Sequence, residues 1–178
     1  GVHDTRFSVV RYGNVMGSRG SVIPFFINLK ETGGLPITDP RMTRFMITLE
    51  DAVELVWHAF DDMQGGEVYV KKIPSMNILD VARAVDSKVK FKFIGIRPGE
   101  KLHEQMIGLE DAPYTYAYQY HYKILPMIHK WHTDPLRIKD GVKVADNFVY
   151  SSDTNSEWMS VEGLSAWIQK NNSKIGVL

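Results

Sequence analysis

Two arginines in this 178-residue chain lie in patterns suited to binding an anion. Arg97 and Glu100 flank a Pro-Gly pair, and Arg44 lies in an otherwise apolar run. One arginine for each side of a diphosphate, with a carboxylate to accept hydrogen bonds from ribose hydroxyls, is a sensible way to hold a nucleoside diphosphate. We also expect Pro98 to open a helix over residues 99–108, whose N-terminus would favour an anion. The alternative for each arginine taken alone is a surface ion pair.

A glycine-rich segment near the start of the chain is a second candidate site. The apolar run Phe7–Val10 is typical of a strand covered on both faces, and a helical pattern begins at residue 22. Ligands of open α/β sheets bind where strands end in such loops. Four small residues would let a ligand approach the backbone and would offer free N–H groups to an anion: Gly17, Ser18, Gly20 and Ser21. A connection that binds nothing is the alternative.

Strand and helix patterns alternate along the chain and must position these residues. We predict helices over residues 22–31, 50–63, 76–85 and 99–108, and a final helix capped by Ser160. Asn77 is the candidate N-cap of the helix over 76–85. We predict strands over residues 7–10, 41–47, 67–70, 89–96 and 148–150. Residues 130–146 are expected to form an irregular surface insertion. In the helix over 50–63, apolar residues recur at helical spacing and are expected to face the core: Val53, Val56, Trp57 and Phe60.

The composition excludes several classes of function. Lys+Arg and Asp+Glu are equal at 21 each, so no net charge favours nucleic acid or a membrane surface. The absence of cysteine excludes disulfides, thiolate zinc sites and thiol catalysis. His129, His132 and Asp134 imitate a metal-ligand spacing but are interpreted as surface residues, so no metal site is expected. No signal peptide and no apolar run of about 20 residues is found, so we expect a cytoplasmic protein without a membrane span.

Four segments together resemble the extended short-chain dehydrogenase/reductases, and within them the inverting UDP-N-acetylglucosamine 4,6-dehydratases. In the order of that family they are Arg11–Pro24, Met42–Phe45, Arg97–Glu104 and Tyr150–Asn155. No Gly-x-x-Gly-x-x-Gly fingerprint and no Tyr-x-x-x-Lys pair on a helix is present; in the family both precede a strand like Phe7–Val10. We therefore expect the chain to be the second half of such an enzyme, inactive alone and without catalytic residues of its own.

The resemblance implies an α/β fold in two parts. Residues 1–30 would be the last strand or strands of a doubly wound NADP-binding (Rossmann) sheet. Residues 31–178 would be a smaller, mixed α/β domain that binds the nucleotide sugar, with short returns to the sheet. The intact enzyme, a homo-oligomer, would oxidise C4 of UDP-N-acetylglucosamine by hydride transfer to NADP, eliminate water across C5–C6 and return the hydride to C6.

The resemblance also implies the site residues. The UDP-sugar would contact Asn14, Arg44, Arg97 and Glu100, and Thr38 would touch the uracil. NADP would contact Tyr12, Val15, Met16, Gly17, Ser18 and Arg19. For Asn14 the alternative is a turn residue, and His103 is interpreted as packing or hydrogen-bonding beside Glu104 rather than as an acid or base. Another extended reductase, such as a UDP-sugar 4-epimerase, or a non-catalytic nucleotide-sugar-binding fragment remains open.

Overall fold

A computed structural model of the protein describes residues 4–176, and within them the chain divides into two units. Unit 1 comprises residues 4–12, 49–72 and 105–151, and unit 2 comprises residues 13–48, 73–104 and 152–176. Each unit therefore gathers three separate segments. The functional boundary near residue 30 stays a prediction. Each unit also contains both helices and strands, which confirms the α/β fold class.

The elements follow one another in short alternating stretches. The strands are β1 (Val9–Arg11), β2 (Asn14–Val15), β3 (Leu35–Ile37), β4 (Thr43–Ile47), β5 (Val68–Lys71), β6 (Ser75–Asn77), β7 (Phe91–Phe93), β8 (Gln105–Ile107), β9 (Thr115–Ala117), β10 (His121–Ile124), β11 (Val142–Lys143) and β12 (Tyr150–Ser151). The α-helices are α1 (Val22–Leu29), α2 (Leu49–Asp62), α3 (Ile78–Val85), α4 (Pro135–Ile138) and α5 (Val161–Asn171). Short 3₁₀ segments cover Lys30–Thr32, Ala112–Tyr114 and Ile128–Thr133, the last of them interrupted at His129 and Lys130, where φ is positive.

Unit 1 is built on a mixed sheet with the strand order β1-β5-β10-β9-β11. Strand β1 pairs in parallel with β5, and the other neighbours pair antiparallel. A parallel pair needs a crossover, and α2 is the helix that precedes β5 and packs on both strands. The strand predicted over Phe7–Val10 is real but begins two residues later, and Phe7 is exposed.

The buried face of α2 differs from the prediction. Leu55 and Ala59 lie in the core against Tyr69 of β5, and Ala52 is buried as well. Trp57 is 64% exposed and Phe60 60% exposed, so the face chosen from the sequence is the outer one. Small residues at positions 52 and 59 allow the helix to lie close to the sheet, which the larger aromatic side chains would prevent.

Unit 2 contains two small sheets and three helices among its described residues. Strand β4 lies between β2 and β6, and β3 pairs in parallel with β7. Helices α1, α3 and α5 enclose a core that includes Phe26, Leu35 and Leu164. Both caps predicted from the sequence are confirmed: Asn77 accepts from the N–H of Leu79 at 2.8 Å, and Ser160 accepts from the N–H of Gly163 at 3.0 Å.

The helix predicted over residues 99–108 is wrong. Residues 98–99 form a turn, and residues 105–107 form β8, which pairs antiparallel with β12. The segment from Arg97 to Glu104 is therefore an irregular loop, and the helix N-terminus expected to favour an anion does not exist. The insertion at 130–146 is less irregular than predicted, because it contains α4 and β11.

Within residues 4–176, no helix combines the length and the apolar character needed to cross a membrane. The same residues contain no cluster of three or more His, Asp or Glu side chains placed to hold a metal ion.

Candidate functional site

A cavity of about 390 Å³ in unit 2 brings together the residues predicted to bind a nucleotide sugar. All five of them line it: Asn14, Thr38, Arg44, Arg97 and Glu100. The other lining residues are mostly apolar and include Phe26, Met42 and Ile94. An apolar wall with a few polar groups is typical of small-molecule sites, and the volume lies within their usual range of roughly 300–1,000 Å³.

The pairing of short strands explains why residues so far apart in the sequence meet. Asn14 lies in β2 opposite Met46 of β4, and Arg44 lies in the same strand two residues earlier. The interpretation of Asn14 as a turn residue is therefore wrong. Thr38 directly follows β3, and the loop after β7 begins beside it, since the N–H of Ile94 donates to the carbonyl of Ile37 at 2.9 Å.

The Arg44 guanidinium holds the loop that carries Arg97 and Glu100. Its Nη1 donates to the carbonyl oxygens of Thr43 at 2.7 Å and Leu102 at 3.1 Å. Its Nη2 donates to the carbonyl of Lys101 at 3.1 Å, and its Nε lies 3.5 Å from Glu104 Oε1. Two of these hydrogen bonds reach backbone carbonyls of the loop, and the Glu104 carboxylate is an anion within the protein itself. Arg44 also lines the cavity.

Arg97 and Glu100 form a turn that leaves one cation available. Glu100 Oε2 accepts from the backbone N–H of Arg97 at 2.9 Å, and the N–H of Glu100 donates to the carbonyl of Arg97 at 3.1 Å. Within residues 4–176 the Arg97 guanidinium makes no hydrogen bond or ion pair, and the residue is exposed at the cavity. An unpartnered guanidinium beside an apolar wall is suited to a phosphate or a carboxylate.

A hydrogen-bond cluster below this loop was not foreseen from the sequence. Thr43 Oγ1 lies 2.8 Å from His103 Nδ1 and 2.7 Å from Ser152 Oγ. Ser152 Oγ also accepts from the N–H of Glu104 at 2.9 Å. Thr43 is 5% exposed and Ser152 is fully buried. Sequence analysis placed His103 beside Glu104 but gave no signal for two hydroxyl residues separated by more than a hundred positions.

The glycine-rich segment is more occupied by the protein itself than predicted. The N–H of Ser18 donates to the carbonyl of Val15 at 3.3 Å, and that of Ser21 donates to the carbonyl of Ser18 at 3.0 Å. These two N–H groups are therefore not free for an anion. A side chain at Gly17, where φ is +74°, would contact Trp167 at 3.0 Å, so this glycine permits close packing within the unit.

The residues predicted to contact NADP differ in what they can offer. The Met16 side chain is buried in the core of unit 2, which leaves its backbone as the part that a ligand could reach. Arg19 is exposed. Tyr12 belongs to unit 1 and is exposed there. The Ser21 hydroxyl is buried and has no hydrogen-bond partner among the described residues.

Unit 1 has a separate cavity of about 340 Å³ that contains none of the predicted residues. In its wall the Asp62 carboxylate accepts from Lys123 at 2.7 Å and Tyr69 at 2.7 Å, and it also pairs with Lys139. Burial would raise the pKa of Asp62, but these three hydrogen bonds outweigh it and hold the pKa below its usual range. One carboxylate and two ammonium groups are thus joined by hydrogen bonds within the protein, and we assign this network a structural role.

A family model described as "Polysaccharide biosynthesis protein" matches residues 1–126. The chain belongs to the polysaccharide biosynthesis protein family. This membership, with the relatives below, confirms the resemblance to extended short-chain dehydrogenase/reductases that the sequence motifs carried.

Curated proteins similar to this chain include two dehydratases and an epimerase. Two Campylobacter jejuni proteins, from strains 81-176 and NCTC 11168, are named UDP-N-acetylglucosamine 4,6-dehydratase (inverting). Each is 50% identical over 172 residues, which is 92% of this chain and 51% of the relative. A protein of Rickettsia canadensis named UDP-glucose 4-epimerase is 47% identical over 115 residues, or 62% of this chain and 34% of the relative. The chain thus spans about half the length of the dehydratases that it matches.

A solved structure supports the same fold. The X-ray structure of Pen from Bacillus thuringiensis matches with a TM-score of 0.78 and 31% identity, over 95% of this chain and 51% of that one. The mixed α/β architecture is therefore shared with Pen over nearly the whole length of this chain, which is consistent with a Rossmann-like fragment.

Proposed function

We propose that the cavity of unit 2 binds the UDP part of a nucleotide sugar, and that the chain is the substrate-binding portion of a UDP-N-acetylglucosamine 4,6-dehydratase. One observation carries this proposal: the five residues that the family resemblance assigns to the substrate line a single cavity. The names of the two Campylobacter relatives, 50% identical to this chain, support the choice of sugar.

The residues of the cavity divide the work of binding by their chemistry. The free Arg97 guanidinium bonds the diphosphate, and Glu100 accepts from ribose hydroxyls with the oxygen not used by the backbone of Arg97. The apolar wall covers the uracil beside Thr38, and the Asn14 amide bonds the sugar. Arg44 adds positive charge at the wall while holding the loop.

The loop over residues 15–19 fits the nicotinamide end of NADP. It connects two residues that line the cavity, Asn14 and Gly20, so a cofactor along it would meet a sugar bound in the cavity. Its exposed Arg19 offers a cation to such a ligand. Bound NADP would accept a hydride from C4 and return it to C6 after water is lost across C5–C6. The contact assigned to Tyr12 stays a prediction.

No residue of this chain is proposed as catalytic, because the sequence holds no Tyr-x-x-x-Lys pair on a helix. The chain alone is expected to bind UDP and to form no 4-keto sugar from UDP-N-acetylglucosamine and NADP. A calorimetric titration of UDP into the chain tests the binding. No detectable UDP binding by folded protein would overturn the proposal, and turnover by the chain alone would overturn the assignment of catalysis to residues outside it.

A UDP-sugar 4-epimerase is the second candidate, since Rickettsia relatives at 47–48% identity are named UDP-glucose 4-epimerase. Both reactions use the same kind of substrate and a nicotinamide cofactor, so the cavity does not distinguish the two activities. An assay of the intact enzyme distinguishes them, because a dehydratase yields a 4-keto-6-deoxy sugar, whereas an epimerase yields a sugar of unchanged mass.

The intact enzyme is also proposed to form a homo-oligomer, which light scattering would test.

A further inference from the structure

The loop that presents Arg97 and Glu100 is held at both ends but not in its middle. At its start, the N–H of Ile94 donates to the carbonyl of Ile37 at 2.9 Å. Between these ends, the Arg97–Glu100 turn is closed by hydrogen bonds between its own two residues. The position of the turn in the cavity therefore depends on how firmly the far end, residues 101–104, is fixed.

Two consecutive residues of β4 fix that far end. Arg44 bonds the carbonyl oxygens of Lys101 and Leu102. The N–H of Thr43 also donates to the carbonyl of Leu102, at 3.1 Å. Because successive side chains of a strand point to opposite faces, the Thr43 hydroxyl is available on the other side of β4. There it contacts His103 Nδ1 and Ser152 Oγ, at 2.8 and 2.7 Å.

Ser152 completes the attachment. Its Oγ accepts from the N–H of Glu104 at 2.9 Å, and its own N–H donates to the carbonyl of Glu104 at 2.8 Å. The Thr43 hydroxyl thus links the His103 ring to a serine that holds the next residue of the loop. All of these groups are buried or half-buried, where a hydrogen bond lost without replacement leaves an unsatisfied polar atom.

We propose that Thr43, His103 and Ser152 are positioning residues, whose hydrogen bonds set the place of the Arg97–Glu100 turn for nucleotide binding. This inference rests on the proposed function of the cavity. The three residues do not line the cavity and contact no ligand themselves. Their effect on UDP passes through the loop, so it depends on the hydroxyl and ring nitrogen rather than on side-chain volume.

The test compares variants that differ by a single polar group. Thr43→Val removes the hydroxyl at nearly constant volume, and Thr43→Ser retains it. Thr115→Val is the matched control, because Thr115 is likewise a buried threonine, and its hydroxyl donates one hydrogen bond, to the carbonyl of Asp111 at 2.8 Å in unit 1. Loss of one such hydrogen bond typically changes an equilibrium constant by about two- to thirteenfold. We expect Thr43→Val to weaken UDP binding by roughly three- to tenfold, with Thr43→Ser and Thr115→Val close to wild type.

His103 gives a second pair if Thr43→Val does not fold. His103→Asn can place a polar atom near the position of Nδ1, whereas His103→Ala removes it. We expect weaker UDP binding for His103→Ala, with at least half of the loss recovered in His103→Asn. Equal UDP affinity of the folded Thr43→Val or His103→Ala protein and wild type would overturn the inference, as would equal weakening by Thr115→Val.

Hydrogen exchange of the ligand-free chain separates this inference from the proposed function. Thr43→Val is expected to speed exchange of backbone N–H groups in residues 97–104 and to leave residues 115–117 unchanged. If wild type binds no UDP but exchange changes in this way, the proposed function fails and the loop attachment stands. If wild type binds UDP and neither affinity nor exchange changes in Thr43→Val, the positioning role fails alone.

Discussion

Arg44 Nη1 donates to the carbonyl oxygen of Leu102 at 3.1 Å, which joins strand β4 to the loop that carries Arg97. The two residues are 58 positions apart, and the same guanidinium also bonds the carbonyl of Lys101. A planar guanidinium can bond several acceptors in fixed directions at once, whereas an ammonium is a single point of charge. We therefore expect that lysine cannot replace Arg44 without loss of these bonds.

Arg44→Lys is expected to weaken UDP binding by about ten- to hundredfold, because loss of one hydrogen bond from a charged group typically costs about 1.5–3 kcal/mol. Arg41→Lys provides the control three positions earlier, since Arg41 is exposed and pairs with Asp39 without lining the cavity. Calorimetric titration of UDP into both variants is the measurement. Wild-type affinity in Arg44→Lys would mean that a single ammonium suffices there.

Asp62 is expected to be a sensitive charge in unit 1. Lys123 beside it is only 2% exposed, so Asp62→Asn leaves a buried cation without its counter-charge. Removal of one partner from a buried ion pair typically costs about 3–5 kcal/mol of unfolding free energy. Asp39→Asn is expected to change stability little, because its partner Arg41 is exposed and stays hydrated without the pair. Urea unfolding of both variants decides, and equal stabilities would contradict a structural role for the Asp62 network.

His121 is expected to make the protein sensitive to mild acid. Burial lowers its pKa from 6.5 to about 4, and the nearby charges of His58 and Lys123 act in the same direction. A depressed pKa in the folded state means that the unfolded chain binds the proton first, so stability is lost as pH falls from 6.5 towards 4. His121→Phe retains a ring against Tyr118, with which the imidazole stacks at 4.6 Å. Thermal melts over this pH range should fall less steeply for His121→Phe than for wild type; parallel curves would refute the assignment.

Substitutions at Gly17 and Gly20 distinguish the stability cost of backbone strain from that of a steric contact. Both have φ of +74°, where a side chain costs about 1–2 kcal/mol. A Cβ at Gly20 would meet nothing within 4 Å, but one at Gly17 would press on Trp167 at 3.0 Å. Gly17→Ala is therefore expected to lower the melting temperature more than Gly20→Ala. Equal losses in the two variants would show that the Trp167 contact relaxes freely.

Local sequence signals predicted the helices whose first turn is capped by a polar side chain. Ser160 and Asn77 cap α5 and α3 as expected, because a capping side chain bonds an N–H only a few residues away. The loop at 97–104 was mistaken for a helix, because its continuation as β8 depends on pairing with β12, more than forty residues later. No local pattern records such a partner.

The difference between local signals and contacts of distant segments also explains which buried residues and which site residues could be predicted. Helix α2 carries two apolar stripes, and the smaller residues face Tyr69 although the aromatic ones gave the stronger signal. Four polar residues of the cavity were predictable through the family resemblance, because a motif contains each of them: Asn14, Arg44, Arg97 and Glu100. The Arg44 bonds to the loop and the hydroxyl of Ser152 were not, because both arise from contacts between distant segments.

The most direct test of the account is the binding of UDP to Arg97→Ala. The Arg97 guanidinium lines the cavity and makes no hydrogen bond or ion pair within residues 4–176, so its removal disturbs little of the fold. UDP affinity should fall about ten- to hundredfold, with partial recovery in Arg97→Lys. NADP titrated separately should bind as it does to wild type, because its proposed contacts lie at residues 15–19. An unchanged dissociation constant for UDP would contradict the nucleotide-sugar site.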